Sequence, residues 1–285
     1  LYKFVPNVNC AVSHIPLRSG TVTFYQWGQG PVVIIALHGF AENAHSFASW
    51  GRLLPEGYSL YIPDLPLHGR SNWTQGVPFT VADLRELFTK MTGSEGPYIL
   101  CGFSMGGRLA LSYFQHYSKT VSRLVLLAPD GLKVNFWYWL STQTVLGNFI
   151  FRKTMEHPAW FLGTVEFLGK RRLVNMGVVK YVDRYLLKEY NRMRLYWVWT
   201  SMRSFRPGLR TIRTLLRQQH KQARLIFGKY DRIIQPSQGY RFQGKARGTI
   251  VIRELPVGHQ LLSRELAQTC LEIVTDYSPI LRSST

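Results

Sequence analysis

At 285 residues with 46% apolar side chains, the chain is long enough to bury one large α/β core carrying an insertion, and no second complete domain is required. No uninterrupted apolar run approaches the roughly 18 residues of a membrane span, and Cys10, Cys101 and Cys270, an odd number without C-x-x-C spacing, argue against a disulfide framework and a zinc site. The formal net charge of +19 is concentrated between Gly131 and Gln222, where 17 Lys and Arg meet 4 Asp and Glu, yet no DNA- or RNA-binding motif accompanies it.

Two readings of that charge stand side by side. A basic surface raises the local concentration of anionic partners, and a solvated helical face on a charge-tolerant protein accounts for the same excess. Three thiols without a pairing pattern suit a reducing compartment, so a cytoplasmic location is expected. The sequence starts at Leu1 rather than at a methionine, which leaves a removed targeting segment open.

In chain order, Asn9 to Arg18 and Thr21 to Trp27 are β-like runs joined through Ser19-Gly20, an antiparallel hairpin at a sheet edge. Val32 to Leu37 is a continuous apolar run, as expected of a central strand covered on both faces, and it ends in His38-Gly39-Phe40. A helix over Ser46 to Leu54 and a strand over Ser59 to Ile62 follow. The polar segment Asp64 to Ser71 then reads as a tight loop in which Asp64 and His68 bond to backbone rather than take part in catalysis. A helix from Thr80 to Met91 leads into the strand Tyr98-Ile99-Leu100-Cys101.

That strand runs into Gly102-Phe103-Ser104-Met105-Gly106 and then a helical pattern from Gly107 to Phe114. In a G-x-S-x-G turn between strand and helix, the serine takes a strained positive φ and its hydroxyl stands out at the strand end. The Met105 N–H, at the start of the helix, is placed to help hold an oxyanion. A strand over Val121 to Leu127 ends in Ala128-Pro129-Asp130-Gly131. From Leu132 to about Arg206 the alternation stops, and aromatic, basic helical stretches such as Phe136 to Leu140 and Tyr196 to Trp199 predict a helical cap above the strand ends.

Alternation resumes with a helix over Leu209 to Gln219 and a strand over Arg224 to Phe227, which leads to Asp231. A last strand, Thr249 to Leu255, leads to Gly258-His259, and a helix over Glu265 to Tyr277 follows. The expected organisation is therefore a core over 1–131 and 209–285 with a cap over 132–208. Ser104, Asp231 and His259 each follow a strand in the same sense, so all three converge on one sheet edge. A serine hydroxyl needs a histidine to take its proton and a carboxylate to orient that histidine.

The order Ser104, Asp231, His259, together with the elbow and the His38-Gly39 turn, resembles the α/β-hydrolase family over nearly the whole chain outside the cap. The resemblance implies a mostly parallel sheet flanked by helices, with the cap inserted after the sixth strand. It implies an oxyanion hole from the N–H groups of Phe40 and Met105. The Asp64 segment resembles the family's D-x-P-G-H-G-x-S turn, with Leu67 where the glycine stands. Asp130 rivals Asp231 as the acid, since some members carry the carboxylate after the strand that follows the nucleophile.

The serine nucleophile implies hydrolysis of a carboxylic ester or thioester through an acyl-enzyme. The basic cap suggests an anionic substrate or one presented by an acidic carrier protein. The elbow with Gly107-Arg108-Leu109-Ala110-Leu111 is also similar to that of the menaquinone-pathway synthase forming 2-succinyl-6-hydroxy-2,4-cyclohexadiene-1-carboxylate, in which an arginine at the place of Arg108 binds substrate carboxylates. Otherwise Arg108 reads as a helix-surface residue. His38, Gly39 and Arg108 are thus the candidates for substrate binding. A non-enzymatic binding protein of the same fold is the third alternative. No metal or organic cofactor is indicated, because histidines do not group at ligand spacing and the glycine-rich turn lacks P-loop and dinucleotide patterns.

Overall fold

The computed structural model describes residues 10–133, 135–170 and 188–276, which divide into two compact units. The larger comprises Leu1–Trp73, Thr80–Lys133 and Phe205–Thr285 and contains one eight-stranded sheet. Its strands are β1 (Ala11–Leu17), β2 (Gly20–Trp27), β3 (Val32–Leu37), β4 (Tyr58–Pro63), β5 (Tyr98–Phe103), β6 (Val121–Leu127), β7 (Ala223–Gly228) and β8 (Ile250–Leu255). They lie in the order β1-β2-β4-β3-β5-β6-β7-β8. β1 pairs with β2, and β2 with β4, antiparallel; every other pair is parallel. The expected edge hairpin and mostly parallel sheet are both present, and the chain has the α/β-hydrolase fold.

Sequence dictates which strands lie at the centre. All six residues of β5 are buried, as is every residue of β6 except Ser122, so each of these apolar runs is covered on both faces. Burying each large aliphatic side chain there contributes about 1.5–3 kcal/mol of transfer free energy. β1, by contrast, buries only Ile15, as befits a strand at the sheet edge.

The helices of this unit show the same local logic. α1 (Ala48–Arg52) is only five residues long and follows a 3₁₀ turn over Ala44–Phe47, shorter than the helix expected over Ser46 to Leu54. α2 (Val81–Thr92) starts at a capping box: Thr80 Oγ1 accepts the Asp83 N–H at 3.2 Å, and Asp83 accepts the Thr80 N–H at 2.8 Å. Gly93, at φ 67°, ends it. α3 (Met105–Tyr117) leaves directly from the end of β5 and is buried over its first ten residues.

The second unit, Thr74–Phe79 with Val134–Ser204, carries helices in its described residues. It contains α4 (Phe136–Gln143), α5 (Val145–Glu156), α6 (Ala159–Lys170) and α7 (Glu189–Ser201). α5 packs on α7 through the ring of Phe151 against Tyr196 and Trp199. The segment Thr74–Phe79 is tied in by the Phe79 N–H to the Ser201 carbonyl at 2.9 Å and the Ser204 hydroxyl to the Phe79 carbonyl at 2.6 Å.

The larger unit then continues with α8 (Leu209–Gln218), α9 (Pro236–Gln243) and α10 (Ala267–Thr275). α9 is not foreseen by the sequence pattern. α10 begins after a 3₁₀ turn at Arg264–Leu266, and Tyr277, the expected helix end, lies outside the described residues. Among the described residues no helix is long and apolar enough to cross a membrane. Cys10 is exposed and Cys101 and Cys270 are buried, with no disulfide among them; burial pushes the Cys101 and Cys270 thiols upward, so neither is a reactive thiolate.

Candidate active site

β5 delivers Ser104 to a position that only a tight backbone crossing permits. Ser104 has φ 49° and ψ −116°, a conformation an L-residue adopts at a cost of order 1–3 kcal/mol. Gly106 is required there: a Cβ on it would lie 2.1 Å from the Leu37 carbonyl oxygen, so α3 can cross the end of β3 only without a side chain at this point. The Ser104 N–H is held by the Leu127 carbonyl at 3.0 Å, and its own carbonyl accepts the N–H groups of Gly107 and Asp130, both at 2.9 Å. The strain is thus held by three backbone bonds.

β7 and β8 bring the other two groups. Their ladder extends beyond the strands through the Lys229 N–H to the Leu255 carbonyl at 2.8 Å and the Tyr230 N–H to the Val257 carbonyl at 2.9 Å. This holds the Asp231 loop and the His259 loop side by side. Asp231 Oδ1 accepts the N–H groups of Ile233 and Ile234 at 2.8 and 3.0 Å. Its Oδ2 lies 2.7 Å from His259 Nδ1, and His259 Nε2 lies 3.2 Å from Ser104 Oγ. With the Asp231 side chain fully buried, its charge is neutralised by this imidazole N–H and two backbone N–H groups. The Nδ1–H tautomer leaves Nε2 as the acceptor for the serine hydroxyl.

Asp130 belongs to a different pair. Its Oδ2 lies 3.4 Å from Arg108 Nη1, and its Oδ1 accepts the Gly131 N–H at 2.7 Å. Arg108 is buried, not on the helix surface, so the reading of it as a surface residue is corrected. Its guanidinium faces Asp130, which limits it as an anchor for a substrate carboxylate. Both aspartates follow strands, and the sequence reading favours Asp231 for its position and its Gly-x-x-Asp context; in the fold Asp231 meets the imidazole and Asp130 meets Arg108.

The turn after β3 is built with equal care. His38 is fully buried: Nδ1 donates to the Gly39 carbonyl at 2.8 Å, and Nε2 accepts the Leu65 N–H at 2.9 Å. It shapes the turn through backbone contacts and presents no surface to a ligand. Gly39 passes close to the serine, with room for a Cβ only 3.3 Å from Ser104 Cβ. Phe40 follows it and Met105 opens α3, where a first-turn N–H has no intrahelical acceptor.

The Asp64–Ser71 loop braces this turn from the other side. Asp64 Oδ1 accepts the Ala44 N–H at 2.7 Å and Oδ2 the Arg70 N–H at 2.8 Å, while His68 Nε2 accepts the Ala41 N–H at 3.3 Å. Asp64 and His68 thus serve backbone groups, as the sequence reading expects. Leu67, at φ 66°, adopts the left-handed conformation that a glycine would take more readily. The turn is kept despite the side chain.

One residue of the site is missed by sequence reasoning. Glu42 Oε2 accepts the Gly39 N–H at 3.2 Å, so a carboxylate sits under the turn beside His259. Burial pushes its pKa up, against the opposing pull of the Gly39 N–H, His259 and Ser46. The one available signal was its place four residues after His38, on the same turn. No group of three His, Cys, Asp or Glu side chains able to hold a metal ion occurs among the described residues.

Residues 32–172 match the family model described as alpha/beta hydrolase fold. The chain is 25% identical over 292 residues to the uncharacterized hydrolase YugF of Bacillus subtilis, covering 92% of this chain and 97% of that protein. It is 28% identical over 139 residues to a pimeloyl-[acyl-carrier protein] methyl ester esterase of Nitrosospira multiformis, covering 46% of this chain and 52% of that one. Among solved structures, a thermophilic esterase from Thermogutta terrifontis superposes with a TM-score of 0.63 at 18% identity, covering 92% of this chain and 96% of the other, which is a likeness of fold.

Proposed function

We propose that the chain, whose residues 32–172 match the model of the alpha/beta hydrolase fold and which resembles a hydrolase over nearly its whole length, is a serine hydrolase that cleaves a carboxylic ester or thioester through an acyl-enzyme. The observation that carries this reading is the continuous hydrogen-bonded relay from Asp231 through His259 to the strained Ser104.

The steps follow from the atoms in place. His259 Nε2 takes the proton of Ser104 Oγ as the oxygen adds to the carbonyl carbon. Asp231 holds Nδ1–H and stabilises the imidazolium that forms. The tetrahedral oxyanion is met by the N–H groups of Met105 and Phe40, the first backed by the N-terminal end of α3. The C–O or C–S bond then breaks, the imidazolium gives its proton to the departing alcohol or thiol, and water repeats the sequence in reverse to release the acid. His38, Asp64 and His68 position the turn that carries Phe40.

The basic excess between Gly131 and Gln222 favours an acyl group bearing negative charge or carried by an acidic protein, and the similarity to an esterase acting on an acyl-carrier protein ester points the same way. The reading is tested with purified protein and short p-nitrophenyl esters and acyl thioesters. Ser104→Ala should remain folded and lose at least a thousandfold in kcat. Undiminished ester hydrolysis by that variant would show that another group does the chemistry.

A further inference from the structure

The helical unit displays an apolar surface that its own packing does not use. α4 has the sequence FWYWLSTQ, with no charged residue, and exposes Phe136 and Trp137, the latter at 72%. After the single residue Thr144, α5 exposes Val145 at 91%, Leu146 at 69%, Phe149 and Ile150. The i, i+1, i+4, i+5 spacing puts these four on one face of α5. The opposite face is the one that packs, through Phe151 on Tyr196 and Trp199 and through the buried Thr154 and Met155. Together the six exposed side chains offer on the order of several hundred Å² of apolar surface, at or above the largest patch of an ordinary monomer.

Charge distinguishes among occupants. Arg152 and Lys153 lie on the last turns of α5, both about half exposed, and share Glu156 at 2.8 and 3.0 Å. The segment 134–204 as a whole holds 11 Lys and Arg against 4 Asp and Glu. The surface is therefore an apolar centre with cations at its margin. An acidic carrier protein docks chiefly through ion pairs, and α4 offers it none. A bilayer surface with anionic headgroups suits both features: Trp and Phe settle at the acyl boundary, and long cationic side chains reach up to the phosphates. α5, 12 residues and about 18 Å long, is too short to cross the roughly 30 Å hydrocarbon core but long enough to lie along it.

We propose that the face formed by α4 and the outer side of α5 binds the surface of anionic lipid membranes, with Trp137, Leu146 and Phe149 entering the acyl boundary and Arg152 and Lys153 contacting lipid phosphates. Such a contact holds the protein at a membrane surface through helices that lie along it. The proposal is independent of the catalytic reading, because binding requires no turnover.

The test is co-sedimentation of the full chain with phosphatidylcholine vesicles, with and without about one-third phosphatidylglycerol. The wild type should pellet with the anionic vesicles, less so as salt is raised, and bind neutral vesicles far more weakly. Leu146→Ser with Phe149→Ser should weaken binding at least tenfold, and Arg152→Gln with Lys153→Gln should cost roughly fivefold per cation. Glu156→Gln, which releases both cations, should tighten binding several-fold. Leu146, Phe149, Arg152 and Lys153 are exposed and Glu156 is half-buried, and unchanged thermal unfolding by circular dichroism verifies the fold. The proposal is overturned if the protein ignores anionic vesicles, binds neutral ones equally, or pellets undiminished after the Leu146 and Phe149 changes. It is equally overturned if those changes abolish a self-dimer or the capture of a purified acyl-carrier protein while vesicles bind nothing.

Discussion

Replacing Asp231 by Asn isolates what its carboxylate does for His259. Oδ1 is fixed by two N–H groups, from Ile233 and Ile234, at 2.8 and 3.0 Å. An asparagine must therefore keep its carbonyl oxygen on that side, because the flipped amide would set its NH2 against two donors. Its NH2 then faces His259 Nδ1, where the carboxylate oxygen lay at 2.7 Å, and Nδ1 must become the acceptor. The tautomer is reversed: Nε2 carries the hydrogen and cannot accept the Ser104 proton. The expected loss is about 10⁴-fold in kcat, or roughly 5.5 kcal/mol of transition-state stabilisation, with stability within about 1 kcal/mol because all buried donors stay paired. Hydrolysis of a p-nitrophenyl ester gives kcat, and urea unfolding gives stability. Asp130→Asn serves as the comparison and should lower kcat only a few-fold, since Asp130 faces Arg108. A loss under tenfold for Asp231→Asn, or a larger loss for Asp130→Asn, refutes the reasoning.

Three further outcomes follow from local physics. Leu67→Gly relieves a left-handed φ of 66° but gives up a half-buried side chain, so stability should stay within about 1 kcal/mol, whereas the β-branched Leu67→Val should be about 1–2 kcal/mol less stable than the glycine variant; equal urea midpoints for the two would contradict this. Thr80→Ala removes the capping-box acceptor of the Asp83 N–H and should cost about 1 kcal/mol in the same assay; no change would mean water replaces it without loss. Glu42 binds its proton more tightly in the folded chain than in the unfolded one, so its contribution to stability is fully present below the ordinary carboxylate pKa and is lost as pH rises through the raised folded value. Glu42→Gln keeps an acceptor for the Gly39 N–H and removes the titration, so its melting temperature relative to wild type should be higher at about pH 8 than at about pH 4; a pH-independent difference would contradict the sign.

What was legible in the sequence was whatever short-range sterics or long apolar runs dictate. The elbow could be read because strand, turn and helix meet at Ser104 only if Gly106 lacks a side chain, so residue identity and geometry determine each other. The central strands could be read because β5 and β6 are buried on both faces. α9 could not: its sequence PSQGYRFQ carries Gly239 in mid-helix, tolerated because a Cβ there would press on the Phe227 ring at 2.4 Å. That is tertiary packing overriding propensity. Glu42 was hidden for a similar reason, as only the return of the turn onto the Gly39 N–H gives it a partner. The buried Arg108 and its pairing with Asp130 likewise depend on α3 lying beside the β6 loop, a contact that no local pattern records. The grouping of Thr74–Phe79 with the helical unit involves bonds to residues more than 120 positions away in sequence.

Reacting the folded protein with a fluorophosphonate and locating the adduct by peptide mass spectrometry shows whether Ser104 is the activated nucleophile. A single phosphonyl group on the peptide containing Ser104, formed rapidly in the wild type and abolished by Ser104→Ala and slowed by orders of magnitude in Asp231→Asn, is the predicted result. An unlabelled Ser104 in folded protein, or an adduct on another residue that persists in Ser104→Ala, would contradict it.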